Sequence, residues 1–119
     1  MKRALLTLTL AVAAVLPAAA APKPAAAPGK AEAARLSALE AKLKKTPNDR
    51  KLKLETAQAN YEVGHTIEYN PDLPPRTKYR DALAKYNRAL ALNPKLTAAA
   101  KEKKQIEDIY RQMGRPIPQ

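Results

Sequence analysis

Prolines divide the chain into segments that are each long enough for one helix. Beyond residue 30 they stand at position 47, in a group at positions 71–75, and at positions 94, 116 and 118. Proline lacks a backbone N–H and disfavours the α region in the residue before it, so a helix rarely continues through one. The segments between these prolines predict an all-α fold with about four helices, at about residues 31–45, 49–69, 78–92 and 96–113.

Apolar residues recur at helical spacing within each of these segments. The first segment carries Leu36, Leu39 and Leu43, and the third carries Tyr79, Ala82, Leu83, Tyr86, Ala89 and Leu90. The second carries two stripes, one of Leu54, Ala57, Tyr61 and Gly64 and one of Leu52, Ala59, Val63 and Ile67. The fourth carries Ala99, Ile106, Ile109, Tyr110 and Met113, with Lys103 on the same side. A helix with two apolar stripes is expected to have a neighbour on each side.

Residues typical of helix ends stand close to the predicted boundaries. Asp49 is expected to cap the N-terminus of the second helix, and Thr77 that of the third. Gly114 follows the fourth helix, where a left-handed residue is common and glycine adopts that conformation most easily. Three prolines in six residues predict a proline-rich loop over residues 70–76 between the second and third helices.

The composition excludes several kinds of functional site. The chain has no Cys, a single His at position 65 and a single Ser at position 37. Disulfide scaffolds and thiolate metal sites are therefore excluded, and neither a His-rich metal site nor a Ser-His triad can be assembled from one residue of each kind. We expect a noncatalytic protein, with no cofactor and no metal.

The N-terminus has the layout of a secretory signal peptide. Lys2 and Arg3 precede uncharged, mostly apolar residues 4–16, and small residues precede a predicted cut between Ala20 and Ala21. A retained membrane anchor is the alternative, and the run reaches the required length only if Pro17 and the alanines after it are counted. We therefore expect residues 1–20 to be a signal peptide and the mature chain to be periplasmic or secreted. Residues 21–30 then form a disordered Ala/Pro-rich linker, and residues 116–119 a short tail.

The third helix resembles the second helix of a tetratricopeptide repeat, through Ala82, Tyr86, Ala89 and Pro94. The second helix resembles the first helix of the same repeat, with Ala57 and Gly64 at its small positions. The resemblance implies a short array of tetratricopeptide-like helical hairpins over residues 31–115, with the last helix as a terminal cap. Gly64 and Ala82 are eighteen residues apart, so about thirteen residues are inserted at the corner relative to the family pattern. An unrelated antiparallel helical bundle remains the alternative.

The resemblance implies a protein-interaction module that binds a peptide or protein partner in a helical groove. Projecting the concave face of the family onto the second helix selects Lys51, Gln58, Tyr61 and Glu62 as partner contacts. The stiff proline-rich loop adds Leu73 and Arg76. Tyr61 also lies on an apolar stripe, so core packing is its alternative role. Because so short an array buries few large side chains, we expect either a marginally stable monomer or self-association that extends the stack.

The positive charge supports an alternative function. The chain has 22 Lys and Arg against 11 Asp and Glu, and its formal charge is +11 at pH 7. Basic residues cluster in four places, at positions 42–45, 50–53, 76–80 and 101–104. They could bind an anionic envelope polymer or lipid headgroups. Nucleic acid is not expected, since no aromatic ladder or nucleic-acid motif accompanies the charge.

Overall fold

The computed structural model describes residues 29–119 as four helices, and this part of the chain contains no strand. The helices are α1 (Lys30–Lys45), α2 (Arg50–Glu68), α3 (Pro75–Leu92) and α4 (Thr97–Gln112). The predicted all-α class with four helices is confirmed. None of these four helices combines the length and the hydropathy needed to cross a bilayer. The predicted signal peptide and most of the predicted linker lie outside the described residues.

Two of the predicted helix ends have the expected capping geometry. The Asp49 side chain accepts a hydrogen bond from the backbone N–H of Leu52 at 3.1 Å, which caps α2. Gly114 follows Met113, the C-cap of α4, and adopts φ +63°. The next residue, Arg115, donates its backbone N–H to the Tyr110 carbonyl at 3.0 Å. This closes the C-terminus of α4 in a Schellman motif and fixes the direction in which the chain leaves the helix.

The start of α3 differs from the prediction. The helix begins at Pro75, with Pro74 at the N-cap position, so Thr77 lies inside the first turn and is not the cap. Proline is well tolerated at the first helical position, because the N–H that it lacks would have no partner there and its φ is already helical. The connection between α2 and α3 therefore spans residues 69–74 rather than 70–76. Most of the predicted insertion extends the two helices instead of forming a loop.

The apolar stripes form two clusters on either side of α2. One cluster joins α1 and α2 through Leu36, Leu39, Ala59 and Val63. The other is built on α3 and α4 and contains Ala82, Leu83, Tyr86, Ala89, Ala99, Ile106 and Tyr110. Helix α2 packs against both α1 and α3, as its two stripes predict, and also touches α4. Two predicted core residues are instead exposed: Leu54 by 44% and Met113 by 52%.

The carboxylate of Glu40, a residue of α1, links α1 to both α2 and α3. Asn60 of α2 donates its side-chain amide to Glu40 Oε1 at 3.0 Å. Arg88 of α3 donates to both oxygens of the same carboxylate, at 3.1 and 3.0 Å. These bonds to the Arg88 guanidinium are the main cause that lowers the pKa of Glu40. Charge-assisted bidentate pairs fix orientation, so this contact holds α1 and α3 in register across α2.

The predicted tail after α4 is partly ordered against the core. Ile117 is half-buried and packs on the α3/α4 cluster. Pro116 and Pro118 line a cleft together with Tyr110 at the end of α4. The packed part of the chain therefore extends beyond residue 115, which was its predicted end.

Gly64 is the point of closest approach between α2 and α3. A Cβ atom built on Gly64 would lie 2.9 Å from Tyr86 Cε1 and 3.1 Å from Lys85 Cβ. In an open helix interior, alanine would stabilise by about 1 kcal/mol relative to glycine, whereas overpacking a buried contact costs about 1–3 kcal/mol. We expect Gly64→Ala to lower the free energy of unfolding by about 1 kcal/mol in urea titrations. A raised unfolding midpoint would show that α3 can move away without loss.

Candidate partner-binding face

One side of α2 is left partly or fully exposed by the other described helices. Its residues are three or four positions apart, except that Glu62 directly follows Tyr61, and this spacing places them on one side of the helix. They are Lys51, Leu54, Gln58, Tyr61, Glu62, His65 and Tyr69, and we call this set the α2 face. Leu52, Ala59 and Val63 turn toward α1, and Gly64 lies against α3. The face is therefore the surface that remains once α2 has packed against both neighbours.

Three aromatic rings run along the C-terminal half of the α2 face. The ring centroids of Tyr61 and His65 are 5.8 Å apart, and those of His65 and Tyr69 are 4.6 Å apart. Tyr61 also lies 6.0 Å from the buried ring of Tyr86, which connects the row to the core. Tilted rings at such distances attract one another through their quadrupoles. These contacts hold the rings of Tyr61, His65 and Tyr69 in place, so the three side chains form an ordered aromatic surface.

Apolar surface is concentrated on the same face. Of the three large hydrophobic side chains that are exposed in the described residues, Leu54 and Tyr69 belong to it, and Tyr69 is 53% exposed. Tyr61 is half-buried, with part of its ring against the α3/α4 cluster and part accessible. Single exposed apolar residues are ordinary, but several on one helix face indicate a surface that binds something. Helix α2 thus presents apolar and aromatic groups that its own neighbours do not cover.

Carboxylates from two helices meet at the C-terminal end of the face. The Tyr69 hydroxyl donates to Glu102 Oε2 of α4 at 3.0 Å. Beneath it, Glu68 is only 4% exposed, and its Oε2 accepts a hydrogen bond from the Tyr86 hydroxyl at 2.6 Å. The other oxygen of Glu68 has no hydrogen-bond partner among the described residues. Two acidic groups and three tyrosines therefore share one region between α2, α3 and α4.

The titration of these groups reflects their surroundings. Burial, together with the nearby Glu102 carboxylate, raises the pKa of Glu68 to about 7, although the hydrogen bond from Tyr86 acts in the opposite direction. Burial and the same two carboxylates raise the pKa of the Tyr61 hydroxyl. Burial and the bond to Glu102 raise the pKa of Tyr69. Negative potential at this end favours hydrogen-bond donors or positive charge in anything that binds here.

Polar groups border the opposite edge of the face, toward α1. Arg35 of α1 donates to Glu62 Oε2 at 3.0 Å, and Gln58 donates to Glu62 Oε1 at 3.4 Å. A cleft of about 250 Å³ opens beside this pair and is lined by Glu32, Tyr61, Glu62, His65 and Thr66. The edge therefore offers carboxylate and amide groups next to an aromatic wall.

The sequence-predicted contacts fall into two separate places. Lys51, Gln58, Tyr61 and Glu62 all lie on the α2 face. Leu73 is half-buried in the connection between α2 and α3, whereas Arg76 is exposed in the first turn of α3. The structure does not bring Leu73 or Arg76 onto the α2 face.

Three members of the face were not among the predicted partner contacts. They are Leu54, which the sequence places on a core stripe, His65 and Tyr69. The step of four residues from Tyr61 to His65 and on to Tyr69 is the signal that identifies the aromatic row.

In residues 29–119 no three His, Cys, Asp or Glu side chains are grouped so that they could hold a metal ion.

Comparison of the chain with protein-family models, with curated proteins and with solved structures finds no match.

Proposed function

We propose that the protein is an exported, noncatalytic interaction module that binds a peptide or protein partner along the α2 face. The observation that carries this proposal is the concentration of Leu54, Tyr61 and Tyr69 on one uncovered helix face. Tyrosine is enriched in the energetically dominant contacts of protein interfaces, since it combines a large apolar ring with a hydrogen-bonding hydroxyl. A partner helix or extended segment lying along α2 would cover this surface.

The resemblance to a tetratricopeptide hairpin supports the same use of α2. Ala57 and Gly64 on α2, and Ala82 and Ala89 on α3, are buried, as small residues between paired helices would be. Helix α1 packs on α2 and helix α4 packs on α3, which is compatible with a preceding second helix and a terminal cap. In such an array the first helices of each pair line the inner surface, and α2 would present its face there. The long extension of both helices past Gly64 distinguishes this chain from the family pattern.

A charge-matched pair of variants tests the proposal. Leu54→Lys places a charge at the exposed apolar residue in the N-terminal half of the α2 face, whereas Ala38→Lys adds the same charge at an exposed position of α1. Proteins captured from an envelope fraction by the native protein would be identified, and the affinity of each would then be measured with purified components. We expect Leu54→Lys to weaken binding by about tenfold or more, because it puts an unpaired charge where the partner would cover an apolar side chain, and Ala38→Lys to leave it unchanged.

The alternative is charge-mediated binding to an anionic polymer or to lipid headgroups. Its support is the exposure of lysines and arginines on all four helices, including Lys44, Lys51, Arg80 and Lys104. The salt dependence of affinity separates the two mechanisms. If the logarithm of the affinity falls steeply with the logarithm of the salt concentration, and Leu54→Lys binds as well as the native protein, then binding is driven by charge and the α2 face is not the binding site. If the slope is shallow and Leu54→Lys loses binding, the partner binds along the α2 face.

A further inference from the structure

We propose that Arg76, Arg80 and Arg115 form a binding site for a phosphoryl group, separate from the α2 face. The three side chains line one cleft of about 300 Å³, together with Tyr110, Pro116 and Pro118. Arg76 and Arg80 belong to the first two turns of α3, and Arg115 belongs to the segment after α4. Three arginines from two parts of the chain therefore line the same cleft.

The backbone after α4 determines where Arg115 stands. The left-handed Gly114 and the bond from the Arg115 N–H to the Tyr110 carbonyl turn the chain back toward α3. Two residues further on, Ile117 packs against the α3/α4 cluster and holds the segment against the domain. The conformation of Gly114 is one that L side chains rarely adopt. Arg115 is thus positioned by a specific turn and an apolar anchor, not by chance proximity.

Little within the described residues neutralises the charge in this cleft. Asp81 pairs with Arg80 at 3.1 Å, and both side chains of that pair are largely exposed. None of the ion pairs in residues 29–119 includes Arg76 or Arg115. Like charges that converge without counter-charge repel one another, so an anion between them is favoured by charge as well as by hydrogen bonding.

The ligand class follows from the geometry of guanidinium groups. Each arginine presents a planar set of donors that can bind two oxygens of a phosphoryl group at once. A phosphoryl dianion offers three oxygens for three arginines, whereas a carboxylate offers two. The cleft is open to solvent, so the phosphoryl group can be part of a larger molecule. Its source is either a lipid headgroup or a soluble phosphate compound.

Inorganic pyrophosphate is the probe for the site itself. In NMR titrations of the protein, we expect the side-chain Nε–H signals of Arg76, Arg80 and Arg115 to shift together and to saturate. The double variant Arg76→Gln/Arg115→Gln is expected to weaken binding by about tenfold or more, through loss of two charge-assisted contacts. Lys30→Gln/Lys95→Gln removes the same charge from two exposed positions outside both the cleft and the α2 face and should leave the affinity unchanged.

Equal weakening in both double variants would overturn the proposal, because binding would then depend on net charge rather than on this cleft. An absence of saturating shifts in the three arginine signals would overturn it as well. Vesicles of phosphatidylcholine with and without phosphatidic acid distinguish the two sources. Arginine-dependent retention on the phosphatidic acid vesicles assigns the site to a headgroup, whereas saturable pyrophosphate binding without such retention assigns it to a soluble phosphate compound. Either outcome leaves the proposal for the α2 face intact, since no residue is shared.

Discussion

Replacing Tyr86 with alanine is expected to lower the free energy of unfolding by about 4 kcal/mol, which is a large part of the stability of a domain of this size. The Tyr86 side chain is fully buried, and its ring fills the space opposite Gly64. Truncation would leave a cavity between α2 and α3 and would remove the donor to Glu68. Loss of the helical circular dichroism signal on heating, compared with the native protein, measures the effect.

The phenylalanine variant separates the two contributions of Tyr86. Tyr86→Phe keeps the ring and removes only the hydroxyl that donates to Glu68 at 2.6 Å. We expect a loss of about 1–2 kcal/mol, because a buried acceptor is left without its partner. The pKa of Glu68 should rise further, since that hydrogen bond favours the ionised form. If alanine and phenylalanine destabilised equally, the cavity would contribute nothing and the packing argument would be wrong.

Helical periodicity and proline spacing were sufficient to predict the four helices and the position of α2 between two neighbours. They failed at the start of α3, because proline signals both a helix end and a helix beginning. Pro71 and Pro74 lie outside the helix, but Pro75 begins it. A single proline carries no sign of which role it takes. That depends on whether the chain beyond it has apolar residues to bury, and Tyr79 and Ala82 supply them.

The candidate site was predictable only in part, for a different physical reason. Projection along α2 selected Lys51, Gln58, Tyr61 and Glu62, because spacing alone decides which residues share a helix face. Which part of the face stays uncovered depends on how α1, α3 and α4 approach, and spacing does not give this. Spacing therefore predicts Leu54 in the core, although it is exposed, and does not indicate that Glu68 is buried. A glutamate is seldom buried, and the sequence holds no sign that Tyr86 and Glu102 enclose this one.

Glu68 should make the stability of the protein depend on pH near neutrality. Its pKa is about 7 in the folded protein, against an ordinary value of 4.5. The groups that face it are Tyr86 and Lys78 from α3, Glu102 from α4, and the tyrosines of α2. With Glu68 protonated, its buried carboxyl is neutral and can share its proton with Glu102. Once ionised, it becomes a buried charge beside a second carboxylate.

The folded state holds the Glu68 proton more tightly than the unfolded state does. The stability of the protein is therefore greatest at pH values where Glu68 is protonated in both the folded and the unfolded state. Its contribution is fully present below about pH 4.5, falls as the pH rises through 7, and is absent above that. The expected loss between pH 4.5 and pH 8 is on the order of 3 kcal/mol, from a pKa shift of this size. Urea unfolding at a series of pH values measures it. Exchange of the amide protons of α4, which carries Glu102, should accelerate over the same interval.

Glu68→Gln isolates this contribution from every other titrating group. Glutamine keeps the shape and neutrality of the protonated acid, and it can accept from Tyr86 and donate to Glu102. We expect the variant to lack the fall in stability between pH 5 and pH 8 and to exceed the native protein at pH 8. Glu55→Gln, on the same helix and outside this cluster, should retain the native pH dependence. Since the native protein and Glu68→Gln differ at this residue alone, the difference between their curves reports Glu68. Parallel curves for the native protein and Glu68→Gln would mean that Glu68 is ionised in the fold at neutral pH, and that its unpartnered oxygen reaches water.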